Sequence, residues 1–381
     1  MRIVNFRHFA VFSVVATVSM TPFLVLPAMI GVLVDNAGMS ESAAGWSASL
    51  SFLASACTGL FLALRIHHLN LRQMEIIALT MTAVADLVSA YTAGSTALFF
   101  AVRIAAGVSL GMSYVAAISS FARFDGYERG FGVFVTFQFV VSGLGLYIIP
   151  IFADQLGATG LFLIFAGMDC FALILARYLP DNRAVSTEQH ASGTELKVLL
   201  TATAIFAIIG FTLFEAANNA QFTYIERFGV ALDLSDHTIG FTLLISSLIG
   251  IPGAFSIVVI GHRFGTIWPL IFGIGIGIAG LIVLLGADSY GSYFFGNCCM
   301  GFSWAFCLPY IQTLLASIDR NGSAIAAGTS FSTFGGAFGP GLAAMVVTGG
   351  AYGNVFMLAI GLFVITLMVF YYAGTHTGNM Q

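Results

Sequence analysis

The sequence predicts an all-α integral membrane protein, with twelve transmembrane helices in two pseudo-symmetric six-helix bundles. Three observations carry this reading. Only 8% of the 381 residues are charged and 59% are hydrophobic, whereas ordinary soluble domains carry about 25% charged residues. The apolar residues gather into runs of membrane-spanning length. The two halves of the chain also match one another in parallel register.

So few charges cannot clothe a water-facing surface, so the solvent for most of this surface must be lipid. Glycine (43) and phenylalanine (37) are both abundant, and small residues let membrane helices approach closely. A net charge of −4 and the absence of a basic run argue against a nucleic-acid partner. Cys57, Cys170, Cys298, Cys299 and Cys307 all lie in apolar runs without a C-x-x-C pair, which argues against a disulfide framework or a zinc site. The seven histidines fall near or beyond the ends of the apolar runs. The single lysine is Lys197, and no G-x-x-x-x-G-K-[ST] loop occurs, so no ATP site is recognisable. No cofactor is expected, and an ion gradient is the natural energy source. Arg2 and Arg7 precede an apolar run that is too long for a signal peptide and lacks a small-residue cleavage site, so it reads as the first helix.

About 20 apolar residues cross the hydrocarbon layer. Segmenting on that length gives spans at 9–34, 43–64, 73–93, 97–121, 130–151, 158–179, 196–222, 237–260, 267–287, 292–317, 322–348 and 352–373. The longest polar stretch, PDNRAVSTEQHASGTE over 180–195, reads as a linker between bundles at 1–179 and 196–381. With a cytoplasmic N-terminus, Arg2, Arg7, Arg65, Arg72, Arg123, Arg129, Arg177, Arg183, Lys197, Arg263 and Arg320 all fall on the inside. The outside loops then hold only Arg227, with Arg103 inside a span. The positive-inside rule thus supports both the span count and cytoplasmic termini, in a multi-pass cell-membrane protein such as one of a bacterial inner membrane. Acidic residues, among them Asp35, Asp154 and Glu226, gather outside.

The repeat is collinear. At an offset of 195, Ser40, Gly45, Ser51, Leu53 and His67 match Ser235, Gly240, Ser246, Leu248 and His262. At 194, Gly107, Asp125, Phe137 and Gly145 match Gly301, Asp319, Phe331 and Gly339. Two six-helix halves in parallel register fit a transporter built by duplication, with its site at the interface of the repeats.

These features resemble the major facilitator superfamily along nearly the whole chain. The most specific local match is Arg103-Ile-Ala-Ala-Gly107-Val-Ser-Leu-Gly111 in span 4, which follows the family's R-x-x-x-G-x-x-x-G pattern. The loop between spans 2 and 3, LALRIHHLNLRQ, departs from the family's G-x-x-x-D-R-x-G-R-[RK] by lacking the acid and the glycine; its second-half counterpart, IGHRFGT, is closer through Arg263-Phe264-Gly265. The Gly-Pro pair that marks span 5 of family antiporters is absent from SGLGLYIIP and occurs instead in span 11, at Gly339-Pro340. The resemblance implies alternating access, with helices 1, 4, 7 and 10 lining the cavity and 3, 6, 9 and 12 outside them. Compact members of the family favour export slightly, and the missing span 5 pair argues the other way.

Ionisable side chains within lipid are costly, so each is a candidate for function. Asp86, Arg103, Asp169 and Glu215 fall inside the predicted spans. Asp86 and Arg103 lie at similar depth on a helical hairpin and are expected to pair, either as an architectural lock or to tune a proton carrier or hold an anionic group of the substrate. Glu215, in FEAANNAQF, lies on a helix that the resemblance assigns to the cavity. With no predicted cation beside it, it is the expected proton carrier. Asn218 and Asn219 share its helix face; alternatively, the three residues cap a break in the helix. Asp169 is expected at the periphery, in a structural contact. Tyr114, Gln138, Asn297 and Trp304 lie at cavity depth and complete the candidate substrate set, though each also suits simple packing. Pro22 and Pro27 are expected to bend span 1, with neighbouring helices satisfying the freed carbonyls.

Together these point to a secondary active transporter, proton-coupled and not an enzyme, acting as a monomer among membrane lipids on a small organic solute. One Arg and few amides suit an amphipathic or aromatic molecule better than a sugar. A uniporter, a proton- or sodium-coupled uptake carrier for a small organic anion, and a receptor built on a transporter fold remain as alternatives.

Overall fold

A computed structural model describes residues 6–63, 65, 69–121, 127–179, 201–261, 263–318 and 323–377. The expected linker at 180–195, both chain ends, and Asp125 and Asp319 of the repeat lie outside these residues. The chain divides into two compact units, residues 1–187 and 188–381.

The described residues of the first unit form seven helices: α1 (Phe6–Ser19), α2 (Thr21–Leu24), α3 (Leu26–Asp35), α4 (Glu41–Ala63), α5 (Leu71–Thr92), α6 (Thr96–Phe121) and α7 (Tyr127–Ala176). Those of the second form six: α8 (Ala202–Ala231), α9 (Asp236–Ile260), α10 (Ile267–Leu285), α11 (Tyr290–Ile318), α12 (Ser323–Val346) and α13 (Gly353–Thr377). Among the described residues, nine helical stretches are long and apolar enough to cross a membrane. One of them, Phe134–Ala176, is 43 residues long and holds two spans. Gly157, at φ 58° and ψ −174°, breaks it, a backbone state that a side chain would strain. The first span and α12 complete the twelve.

The first span is divided where its prolines predict. Pro22 and Pro27 open α2 and α3, where a missing N–H is tolerated, and Val25 between them is non-helical at φ −111° and ψ 23°. Ser142 Oγ on α7 donates to the Leu24 carbonyl at 2.7 Å, so a neighbouring helix satisfies a carbonyl at the break, as lipid requires. Helix starts carry ordinary caps: the side chains of Asn70, Thr201 and Ser235 accept from the N–H of Gln73, Ala204 and Thr238.

Packing repeats between the units. In the first, α4 and α5 lie along α6, and α1 and α5 lie along α7. In the second, α9 and α10 lie along α11, and α8 and α10 lie along α13. The matched glycines show the repeat at atomic scale. A Cβ on Gly107 would stand 2.0 Å from the Ser51 carbonyl oxygen, and one on Gly301 would stand 2.1 Å from that of Ser246. Ser51 and Ser246, Gly107 and Gly301 are the very residues that the sequence repeat pairs.

Two expectations need correction. Span 7 was expected to end at 222, with Glu226 and Arg227 in an outside loop. Helix α8 instead runs on to Ala231 and buries both, at 5% and 9% exposure. Apolar length locates the part of a helix that faces lipid, whereas this extension faces protein. Glu75, near the start of α5, is likewise an ionisable group inside a span, fully buried at 0% exposure.

Candidate functional site

Two polar sets stand out, one in each unit. In the first, α5 and α6 form an antiparallel hairpin laced by side chains. Ser113 Oγ donates to Glu75 Oε1 at 2.6 Å, and Thr82 Oγ1 donates to Ser109 Oγ at 2.8 Å. Arg103 Nη2 donates to Asp86 Oδ1 at 2.5 Å and to Ser89 Oγ at 2.7 Å. Partner numbers fall along α6 as they rise along α5, the register of a hairpin, and the α5 partners recur at near-heptad spacing on one face. The expected Asp86–Arg103 ion pair is therefore present. The rings of Phe99 and Phe162 close over the guanidinium, with centroids 5.7 and 4.9 Å away. Asp169, expected at the periphery, reaches across from α7 and lies within hydrogen-bonding reach of Asp86.

In the second unit, Glu215 on α8 meets α11. Trp304 Nε1 donates to Glu215 Oε1 at 3.2 Å, and Asn219 Nδ2 donates to Glu215 Oε2 at 3.3 Å. Both partners are neutral, and both carboxylate oxygens are engaged. The helix does not break here. Asn218 Nδ2 donates to the Phe214 carbonyl at 2.8 Å, and Asn219 Nδ2 donates to that of Glu215 at 2.9 Å, within an uninterrupted α8. The reading of these residues as caps of a helix break is thereby removed. Thr223 Oγ1 continues the run, donating to the Asn219 carbonyl at 2.6 Å.

Helix α12 brings its glycines against this site. A Cβ on Gly335 would stand 2.1 Å from the Thr212 carbonyl oxygen and 2.9 Å from Glu215 Cβ, and one on Gly339 would stand 2.8 Å from Asn219 Cβ. The Gly335–Pro340 run thus lets α12 press against the face of α8 that carries Glu215 and Asn219. The Gly339-Pro340 pair was visible in the sequence, but its partner helix was not.

The remaining candidates are held separately. Gln138 Nε2 donates to Met20 Sδ at 3.1 Å, which ties α7 to the end of α1. Asn297 is buried and bonds back to the Tyr293 carbonyl at 2.8 Å, while the Tyr293 hydroxyl donates to the Ile225 carbonyl of α8 at 3.0 Å. Tyr114 lies half-buried on α6.

The sequence pattern of the Major Facilitator Superfamily matches residues 9–340. The chain belongs to this superfamily. Solved structures give the same fold. A mutant form of the nucleoside transporter NupG matches with a TM-score of 0.78 at 13% identity, over 96% of this chain and 99% of that one. A second NupG structure matches with a TM-score of 0.76 at 13% identity, over 97% and 99%. No curated protein sequence matches. As a member of the superfamily the chain is a multi-pass membrane transporter. Its R-x-x-x-G-x-x-x-G motif acquires a physical meaning here. Arg103 is committed to Asp86, while Gly107 and Gly111 let α6 meet the backbone of α4 at Ser51 and Ser55.

Proposed function

We propose that this superfamily member is a proton-driven secondary carrier of a small amphipathic or aromatic organic solute, acting in export, with Glu215 loading and releasing the proton. The observation that supports this is the setting of Glu215: a carboxylate inside a span whose partners, Trp304 and Asn219, are both neutral. Among the described residues no counter-ion locks its charge, so protonation can change without breaking an ion pair. Asp86, by contrast, is tied to Arg103. The substrate set proposed with Glu215 in the second unit is Trp304, Asn218, Asn219 and Asn297; Tyr114 and Gln138 are the substrate candidates of the first unit, where Arg103 is taken by Asp86. An indole and a few amides suit a ring with a polar edge. Nucleosides are such molecules, and the likeness of fold to a nucleoside transporter makes them the first solutes to assay.

The test uses purified protein in vesicles under imposed pH or sodium gradients. Glu215→Gln, which keeps the shape and the neutrality of a protonated acid, should abolish accumulation driven by a pH gradient. Binding and exchange between equal pools should persist. Wild-type proton-driven accumulation in that variant would remove Glu215 from the coupling. Accumulation driven by sodium alone would favour the uptake alternative.

A further inference from the structure

We propose that Asp86 and Asp169 hold a single proton between them, which makes the Asp86–Arg103–Asp169 cluster a second proton-binding site, separate from Glu215. Asp86, Asp169 and Arg103 are 0%, 2% and 3% exposed. They come from α5, α7 and α6 respectively. Arg103 occupies Oδ1 of Asp86, while Oδ2 of Asp86 and Oδ2 of Asp169 have no hydrogen-bond partner. The two carboxyl groups nonetheless lie within hydrogen-bonding reach of each other.

Elementary chemistry constrains this arrangement. An ionised carboxylate only accepts hydrogen bonds. Two carboxyl groups can therefore bond to each other only when one of them carries a proton. Charge balance gives the same answer. Two ionised acids beside one guanidinium would leave a net negative charge at a buried site, which is costly. One proton makes the cluster neutral. The guanidinium on Oδ1 holds the charge on Asp86, so the proton sits on Asp169 and Asp169 donates to Asp86.

Among the described residues, no other ionisable group acts on the cluster. The cluster receives the Ser89 hydroxyl from α5 and is roofed by the Phe99 and Phe162 rings. Glu75, the next acid along α5, is about 16 Å away at the rise of an α-helix. Arg103 also lines a cavity of about 30 Å³ with Thr82, Ser47 and Ser51, a volume that suits one water molecule.

Infrared spectroscopy of the full-length protein in lipid bilayers tests this. An isotope label on the aspartate carboxyls separates their signals from those of Glu75 and Glu215. The wild type should show one label-sensitive stretch of a protonated acid. The same band should appear in Glu215→Gln, so loss of the Glu215 reading would leave this one standing. Asp169→Asn should remove the band and remain folded. Asp86→Asn should also remove it and remain folded, because Asp169 then gives up its proton and becomes the counter-ion of Arg103. The double variant leaves Arg103 without an acid and should lose most of its folded yield. A wild type without the band, a band that survives both single substitutions, or a double variant as well folded as the singles would each overturn the proposal.

Discussion

Replacing Gly107 by alanine tests the packing on which both units rest. The new methyl carbon would stand 2.0 Å from the Ser51 carbonyl oxygen, 2.7 Å from its carbon and 2.9 Å from Ser51 Cα, well inside the 3.4 Å at which ordinary contact begins. All three are backbone atoms, so no side-chain rotation relieves the clash. Helices α4 and α6 must part, which also pulls on the 2.8 Å bond from Ser51 Oγ to the Arg103 carbonyl. Overpacking of this kind costs about 1–3 kcal/mol. The equivalent change, Gly301→Ala, meets the Ser246 carbonyl oxygen at 2.1 Å and should cost a similar amount. Gly275→Ala is the control, since nothing lies within 4 Å of its Cβ position. Alanine in a helix interior is favoured over glycine by roughly 0.5–1 kcal/mol, so this variant should be at least as stable as the wild type. Thermal unfolding in one detergent ranks the three. If Gly107→Ala and Gly301→Ala melt with Gly275→Ala, the close backbone contact does not exist and the structural repeat loses its strongest support.

Three further predictions follow from the same geometry. Trp304→Phe and Asn219→Ala each remove one donor to Glu215, and each should slow coupled transport. In a Glu215→Gln background neither should lower the residual exchange rate by the same factor, and full additivity would mean that they act elsewhere. Ser113→Ala removes the donor to Glu75 and should destabilise the first unit by about 1–3 kcal/mol; adding Glu75→Leu should recover much of that in thermal unfolding, and no recovery would assign the loss to the hydroxyl alone. A single cysteine at Ser186, in an otherwise cysteine-free chain, should resist impermeant reagents applied outside intact cells, and labelling there would refute the expected placement of the linker.

Much of this was legible in the sequence because lipid imposes a length rule. A span needs about 20 apolar residues, so all twelve could be segmented from composition alone. The Asp86–Arg103 pair was legible because a short hairpin places similar depths side by side. What was not legible was whatever depended on a third helix. Asp169 was expected in a structural contact, on a helix that the resemblance puts at the periphery, but the sequence did not name its partner, Asp86 on α5, which packs against α7. Glu75 was overlooked because the ends of a span are ordinarily wet, whereas this one is sealed by α6. Glu226 and Arg227 were read as loop residues because charge ends an apolar run, although α8 continues through protein interior. Apolar length reports on lipid contact; burial against other helices is a separate property that carries no one-dimensional signal.

The duplication clarifies where the chemistry lies. The close contacts at glycine are held in common: the Ser51 backbone against Gly107 and the Ser246 backbone against Gly301, and the side chains of Val25 against Gly145 and Asn219 against Gly339. Fully buried Phe162 and Phe356 also correspond, at the offset of 194. The buried ionisable residues of the two polar sets are not held in common. At 194, Arg103 corresponds to Asn297, Asp169 to Phe363, Glu215 to Thr21 and Trp304 to Leu110, and at 195 Asp86 corresponds to Leu281. Each of these buried charged groups thus has a neutral counterpart in the other unit. A contact between helix backbones tolerates only glycine and small residues, so both copies had to keep it. A buried charge is tolerated only beside its own partners, so a set of such groups is gained or lost together. This accounts for a cluster of three in the first unit and a neutral-partnered carboxylate in the second, on one repeated scaffold. Grafting an acid at Thr21 or Leu281 should therefore destabilise the protein without adding a proton site, because the partners that make Glu215 and Asp86 tolerable are absent there. A folded Leu281→Asp variant with wild-type thermal stability would show that the scaffold itself, rather than the partner set, accommodates the charge.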